Sequence, residues 1–252
     1  MPTRARSFTA CVRALKQARG TAAKRRALCE LVHHFPIRLD TLVDHVEACF
    51  DALNESRVDG LALADIGNGQ VVGSMLDRMI ARRCAQTHPQ GAFHMGATKR
   101  EKDVVCGTDD RMSFEVKTSG QRGRRDVHGN RNYGRGERIK VRSGFSLFVN
   151  YEKRAGRLYP TLIRFGWVFD AQWQAQRART GQAARLPRDV YQTQLLVLPG
   201  SYMQHASGAI LRGVGPTNAA YDRTIHDLAQ QTPPQSTLGK KIEAYLSSSF
   251  SD

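Results

Sequence analysis

The run FSLFVNYEKRAGRLYPTLIRFGWVF, from Phe145 to Phe169, constrains the fold more than any other stretch. Two apolar runs rich in aromatic and β-branched residues flank a short polar segment. That pattern predicts a β-hairpin, with SLFVNY turning through EKRAG into LYPTLIRFGWVF. Shorter β-type runs, broken by Gly and Asp, come before it: GAFHMG, KDVVC and SFEVKTS. Further on, DAQWQAQRART has a helical pattern and YQTQLLVL that of another strand. The first third is different again. Phe8, Cys11, Val12 and Leu15 fall at helical spacing behind Ser7 as a cap. A second stripe runs through Leu28, Leu31 and Val32, and a third through Leu42, Val43, Val46, Phe50 and Leu53, with Asp40 as its cap. A fourth helix is predicted from about Gln70 to Arg83, with Val71, Val72, Met75, Leu76, Met79 and Ile80 on its apolar side. Past the Pro-rich joint QQTPPQS, TLGKKIEAYL predicts one more amphipathic helix. Helices followed by a β-centred middle and flanking helices predict an α/β fold of the α+β-like kind. Its central mixed sheet is covered on both faces, and its N-terminal part is helical.

Composition narrows the class. The 252 residues are 40% hydrophobic with a mean hydropathy of -0.46, values of a globular chain rather than a disordered or membrane-embedded one. No apolar segment reaches the length of a membrane span, and the first twenty residues contain no apolar signal core. Cys11, Cys29, Cys49, Cys84 and Cys106 are scattered without any C-x-x-C pair, so neither a disulfide framework nor a zinc cluster is indicated. The expected setting is a reducing cytoplasm. The formal net charge of +15 and the pI of about 10.1 call for a polyanionic partner, in the first place nucleic acid. An arginine-rich genome bias is the bland alternative; the local concentration of the charge argues against it.

The chemistry is densest in EKDVVCGTDDRMSFEVKTSG, from Glu101 to Gly120. With KDVVC and MSFEVK as paired strands and GTDD as the turn, side-chain alternation puts Glu115 and Lys117 on one face and Phe114 and Val116 on the other. Asp103, at the start of the partner strand, can reach the same point in space. Two carboxylates supply hard oxygen ligands for magnesium, and the lysine adds positive charge where a phosphate would sit. An exposed hairpin with an ordinary Glu–Lys pair is the alternative. Asp109 and Asp110 compete with Asp103 as the first ligand, although a turn carboxylate projects away from the shared face.

Asp103 with Glu115-Val116-Lys117 resembles the PD-(D/E)-x-K nuclease superfamily. The continuation from FEVKTSG to HGNRNYG resembles the ScaI-like group of type II restriction endonucleases, in which a Glu-x-Lys-Thr-Ser strand runs on to a Gly-Asn-Arg-x-Tyr element. IRFGWVFDAQW and TGQAARLPRDVYQTQLLVL are also similar to that group, so the resemblance covers roughly residues 69 to 198. It implies a restriction-endonuclease-like core over 61–230, preceded by a helical region, 1–60, that offers a dimer or DNA contact, and followed by a helix and tail, 231–252. It also implies magnesium-dependent cleavage of double-stranded DNA at a short palindromic site, with Asp103, Glu115 and Lys117 catalytic and Asp103 and Glu115 holding the metal. A homodimer and a DNA methyltransferase of matching specificity come with it. Two departures stand out. Lys102 occupies the place of the superfamily's proline. The helix before the hairpin offers Gln70 and Asp77 where many relatives have a glutamate; with Thr118 and Ser119, these are the candidates for a supporting role behind the metal ligands.

The basic residues cluster directly after the Glu-x-Lys strand, in QRGRRDVHGNRNYGRGERIKVRSG. Arginine pairs bidentately with phosphate or guanine, and asparagine with adenine. His128, Asn130, Arg131 and Tyr133 lie where the resemblance falls. Arg124, Arg125, Lys140 and Arg142 suit phosphate neutralisation, which positions a duplex without reading it. Gln182 and Arg185, in TGQAARLP, are a second candidate contact, the alternative being a plain loop. Trp167 and Trp173 are expected in the core. Rival functions are a repair or nicking nuclease of the same superfamily and a non-catalytic basic nucleic-acid-binding protein.

Overall fold

A computed structural model describes residues 6–66, 68–98, 101–120, 126–127, 129–130, 143–175, 183–205 and 235. The predicted C-terminal helix TLGKKIEAYL lies outside them. Helix α1 (Phe8–Gln17) starts at Ser7, whose hydroxyl accepts the Ala10 amide at 3.4 Å, as expected of a Ser cap. Helices α2 (Thr21–Val32) and α3 (Leu39–Glu55) follow. Asp40 does not cap α3. Arg38 holds the cap position, and Asp40 sits in the first turn, where its carboxylate takes the Thr41 amide at 2.6 Å and accepts from Nε and Nη2 of Arg38. A negative charge there still favours the positive end of the helix.

An Asp59-Gly60 turn with φ of 51° and 79° joins the short strands β1 (Arg57–Val58) and β2 (Leu61–Ala62). This left-handed pair is the backbone that Asp-Gly favours in two-residue hairpins. Helix α4 (Leu63–Ile66) leads to α5 (Gly69–Thr87), capped by Asn68, whose side-chain oxygen accepts the Gln70 and Val71 amides. Helix α5 runs a turn beyond the expected Arg83. Its buried stripe is Val72, Leu76, Ile80 and Cys84, spaced by four, and Val71 points outward at 42% exposure instead of joining it.

Strands β3 (Phe93–Met95), β4 (Val104–Cys106), β5 (Phe114–Ser119), β6 (Gly129–Asn130), β7 (Gly144–Arg154) and β8 (Arg157–Val168) come next. The predicted hairpin is present as β7 and β8, but its turn is tighter than EKRAG. Glu152, Lys153 and Arg154 stay in the ladder, and the chain reverses at Ala155-Gly156, with φ of 47° and 73°. Opposite Asn150 and Tyr151 the register slips by one residue next to Pro160, which has no amide hydrogen for the ladder. The segment DAQWQAQRART is not helical where it is described. A 3-10 turn over Asp170–Gln172 leads to strand β9 (Gln174–Ala175). Side-chain acceptors hold the turn, Gln172 Oε1 for the Phe169 amide and Ser143 Oγ for the Asp170 amide. The turn lets Trp173 stack on Phe148 at 6.2 Å, a contact that helical spacing does not anticipate. After β10 (Ala183–Arg185), YQTQLLVL divides between α6 (Arg188–Thr193) and β11 (Leu195–Val197).

Six strands form a mixed sheet in the order β11-β8-β7-β5-β4-β3, in which only the β5–β7 pair is parallel. One face carries Phe114, Val116, Phe145, Leu147, Val149, Phe165 and Trp167 and is covered by α1, α2, α3 and α5 in a single apolar cluster. Phe35 sits at its centre, 4.6 to 5.7 Å from the rings of Phe114, Phe145 and Phe165. Each ring buried this way contributes about 2–3 kcal/mol. The opposite face carries Phe148, Val168 and Leu195, packed against Val127, Trp173, Ala184, Leu186 and Val190. Trp167 and Trp173 are both core residues, as expected. A three-stranded sheet, β6-β10-β9, belongs to this second face. Among the described residues, no helix is long and apolar enough to cross a membrane.

Candidate active site

Strand β5 sorts its side chains as the alternation requires. Phe114 and Val116 are buried on the helix-covered face, while Glu115 and Lys117 are half-buried on the other. The antiparallel β4–β5 pairing, Val104 opposite Phe114, brings Asp103 alongside. The Lys117 ammonium donates to Asp103 Oδ2 at 2.7 Å, to Glu115 Oε2 at 2.6 Å and to the Val116 carbonyl at 3.0 Å. Asp103 Oδ2 also accepts the Val116 amide at 2.9 Å, which fixes its orientation. The three side chains keep 14–16% exposure: enough to meet a ligand, too little for bulk water to screen the charges. Burial alone would push the Lys117 ammonium towards the neutral amine. The charges of Glu115 and Asp103 and their hydrogen bonds outweigh it and raise the pKa above its ordinary value.

The turn carboxylates are engaged elsewhere. Asp109 caps the 3-10 turn and forms a forked pair with Arg111, at 2.7 to 3.1 Å, and this pairing lowers its pKa. Asp110 accepts from Ser113 Oγ at 3.2 Å. Asp103 is therefore the aspartate that shares Lys117 with Glu115. Lys102, in the place of the superfamily's proline, is buried with its ammonium on the Ser113 carbonyl at 2.8 Å, so it ties the residue before Asp103 to the start of β5. Gly96 donates to the Asp103 carbonyl at 3.2 Å, and a Cβ on Gly96 would come within 2.2 Å of the Lys102 carbonyl oxygen. The peptide carrying Asp103 is thus held on two sides.

The supporting candidates are spread around this point. Ser119 shares the face of Glu115 and Lys117 and pairs with Asn150 in β7. Thr118 faces α5, where its hydroxyl lies 3.0 Å from where a Cβ on Gly73 would stand. Asp77 is one helical turn beyond Gly73, and Gln70 is exposed in the first turn of α5. The strand pairings join the two basic stretches: Asn130 in β6 lies opposite Ala183 in β10, the strand that ends at the exposed Arg185. Arg124, Arg125, His128, Arg131, Tyr133, Lys140, Arg142 and Gln182 lie outside the described residues, as does the side chain of Asn130.

The donor set suits a hard divalent cation. Asp103 Oδ2, Glu115 Oε2 and the Val116 carbonyl oxygen all converge on one cationic atom, and the side chains there carry a net charge of minus one. The side-chain pattern could not point to the Val116 carbonyl, because a backbone oxygen has no residue type. Among the described residues, no three or more His, Cys, Asp or Glu side chains form a metal-holding group. Two carboxylates without a third suit an ion that keeps positions open for water and phosphate rather than a closed structural site.

The chain is similar to known proteins over most of its length. The model of the ScaI restriction endonuclease family matches residues 23–199. The type II restriction enzyme ScaI of Streptomyces caespitosus is 34% identical over 180 residues, 67% of this chain and 77% of that protein. The family match starts in α2, well before the residue-69 limit of the motif resemblance, so α2 and α3 share in it, while α1 precedes it. Most of the described fold, from α2 through β11, is matched together with the Asp103–Glu115–Lys117 cluster, and this chain belongs to the ScaI restriction endonuclease family.

Proposed function

We propose that this restriction endonuclease hydrolyses phosphodiester bonds in both strands of double-stranded DNA at a short palindromic sequence, with magnesium as its cofactor. The observation that carries the reading is the convergence of Asp103, Glu115 and the Val116 carbonyl on the Lys117 ammonium, at 2.6 to 3.0 Å. Asp103 and Glu115 would hold the ion, with the Val116 carbonyl as a third oxygen donor. Bound there, magnesium supplies positive charge at the scissile phosphate and lowers the pKa of the attacking water. Lys117 orients that water and stabilises charge growing on the phosphoryl oxygens. Ser119, on the same face as the ligands, and Thr118, Gln70 and Asp77, on the α5 side, are the candidates for a supporting role. The Val116 amide, by holding Asp103 Oδ2, keeps one carboxylate in place before any ligand arrives.

The substrate side follows from the charge. Arg124, Arg125, Arg131, Lys140 and Arg142 neutralise phosphates, while His128, Asn130, Tyr133, Gln182 and Arg185 approach the bases or the backbone beside them. A palindrome is matched by a two-fold homodimer. The division at 61–230 for the cleaving unit and the bacterial cytoplasm as its setting belong to the same reading. A methyltransferase of the same specificity protects the host DNA. Incubating plasmid with the wild type and magnesium should yield discrete double-strand fragments that disappear with chelator and in Glu115→Gln. Products that are only nicked would move the assignment to a nicking nuclease. An inert wild type that still binds DNA would leave a binding protein.

A further inference from the structure

On the catalytic face of the sheet, one hydroxyl holds both backbone groups of a single residue. Tyr191 Oη accepts the Val127 amide at 2.9 Å and donates to the Val127 carbonyl at 3.0 Å. A phenol can do both at once, because it is donor and acceptor. Next to it, Asn150 Nδ2 donates to the Asp126 carbonyl at 3.1 Å, and the Val127 side chain is fully buried. Two residues on, Gly129 and Asn130 pair with Ala184 and Ala183 of β10. The described part of the stretch between the catalytic strand and β7 is thus bound to the protein body at Asp126, Val127, Gly129 and Asn130.

The phenol itself is mounted rigidly. Its ring meets Phe148 edge-on at 5.9 Å and has the Arg164 guanidinium over it at 4.9 Å. Phe148 is the ladder partner of Lys117, so the tyrosine packs against the neighbour of the catalytic ammonium on the same face. Helix α6, which carries it, is tied to α2 where Arg25 donates to the Gln192 carbonyl at 2.7 and 3.0 Å.

We infer that Tyr191 is a positioning residue for sequence recognition: its hydroxyl latches Val127 so that β6 and its partner β10, which carry Asn130 and Arg185, are presented to DNA in fixed register with the catalytic strand. This rests on the DNA-cleaving reading above. A latch of this kind acts on binding and discrimination and leaves the chemical step alone. Preorganised contacts are worth most when the loop need not be ordered at the moment of binding.

The test is Tyr191→Phe in the full-length chain, which keeps the ring contacts and removes both hydrogen bonds. Cleavage is followed on a duplex carrying the site mapped for the wild type and on duplexes with one mismatch. KM for the cognate duplex should rise about tenfold and discrimination against the mismatch should fall about tenfold, while kcat stays within about twofold, as expected when two hydrogen bonds stop ordering a contact. Amide exchange at Val127 should speed up at the same time. Unchanged KM and discrimination overturn the latch, and so does a fall in kcat at constant KM or a variant that loses its fold. A wild type that cuts no DNA refutes the cleaving function itself, which is a separate outcome from a wild type that cuts beside a variant that cuts identically.

Discussion

Replacing Lys117 by methionine removes the one cation between two carboxylates while keeping most of its stem. Asp103 Oδ2 and Glu115 Oε2 lie 2.7 and 2.6 Å from Nζ. They are therefore within about 5 Å of each other, and at an effective dielectric near 20 their bare repulsion is about 3 kcal/mol. Two charge-assisted hydrogen bonds go with the ammonium, and breaking one side of a half-buried cluster of this kind costs about 3–5 kcal/mol in all. In a domain of this size that is a fall in Tm of about 10 °C. Magnesium should return more stability to Lys117→Met than to the wild type, because in the wild type an ion competes with the ammonium for the same oxygens. Thermal melts of both proteins with chelator and with magnesium provide the assay, and plasmid cleavage by the variant should be abolished at every magnesium concentration. A Tm within about 2 °C of the wild type in chelator, where about 10 °C is expected, would refute the electrostatic account of the site.

Three further outcomes follow from the same structure. His45 is buried, and burial first, then the charges of Arg83 and His88, lowers its pKa from 6.5 to about 4. The unfolded chain binds that proton below pH 6.5 and the folded chain does not until about pH 4. Urea unfolding should therefore show full stability above pH 6.5 and a loss of up to about 3 kcal/mol as the pH falls towards 4, a slope that His45→Gln should flatten. A Cβ on Gly166 would stand 2.0 Å from the Gln194 carbonyl oxygen, a backbone atom in the step into β11. Gly166→Ala should cost about 3 kcal/mol in chemical denaturation by prying β11 from β8, and a wild-type midpoint would contradict the packing there. Arg185→Ala should weaken DNA binding and flatten its salt dependence by about one phosphate's share; a binding isotherm unchanged at every salt concentration would remove Arg185 from the interface.

The Asp103–Glu115–Lys117 cluster was legible because strand alternation is local: once SFEVKTS is a strand, Glu115 and Lys117 must share a face, and Asp103 across a short hairpin can reach it. The helical stripes through Leu28, Leu42 and Leu76 were legible for the same reason, since their period is built into the chain. What escaped depends on distant partners. DAQW has a helical pattern, yet stacking Trp173 on Phe148 and the acceptors on Ser143 and Gln172 turn it into a 3-10 turn and a strand. Asp40 looked like a cap, but Arg38, two residues earlier, holds its carboxylate in the first turn. No local pattern says that the stretch around Asn130 pairs with QAAR, or that Tyr191 reaches Val127. These contacts join segments more than fifty residues apart, and only the packed sheet face brings them together.

Sequencing the ends of plasmid DNA digested by the wild type in magnesium tests the central claim most directly. The account predicts that every end maps to one short palindromic sequence, cut at symmetry-related positions in the two strands, and that Glu115→Gln yields no such ends. Ends scattered without a common sequence, or intact plasmid at every magnesium concentration, would contradict it.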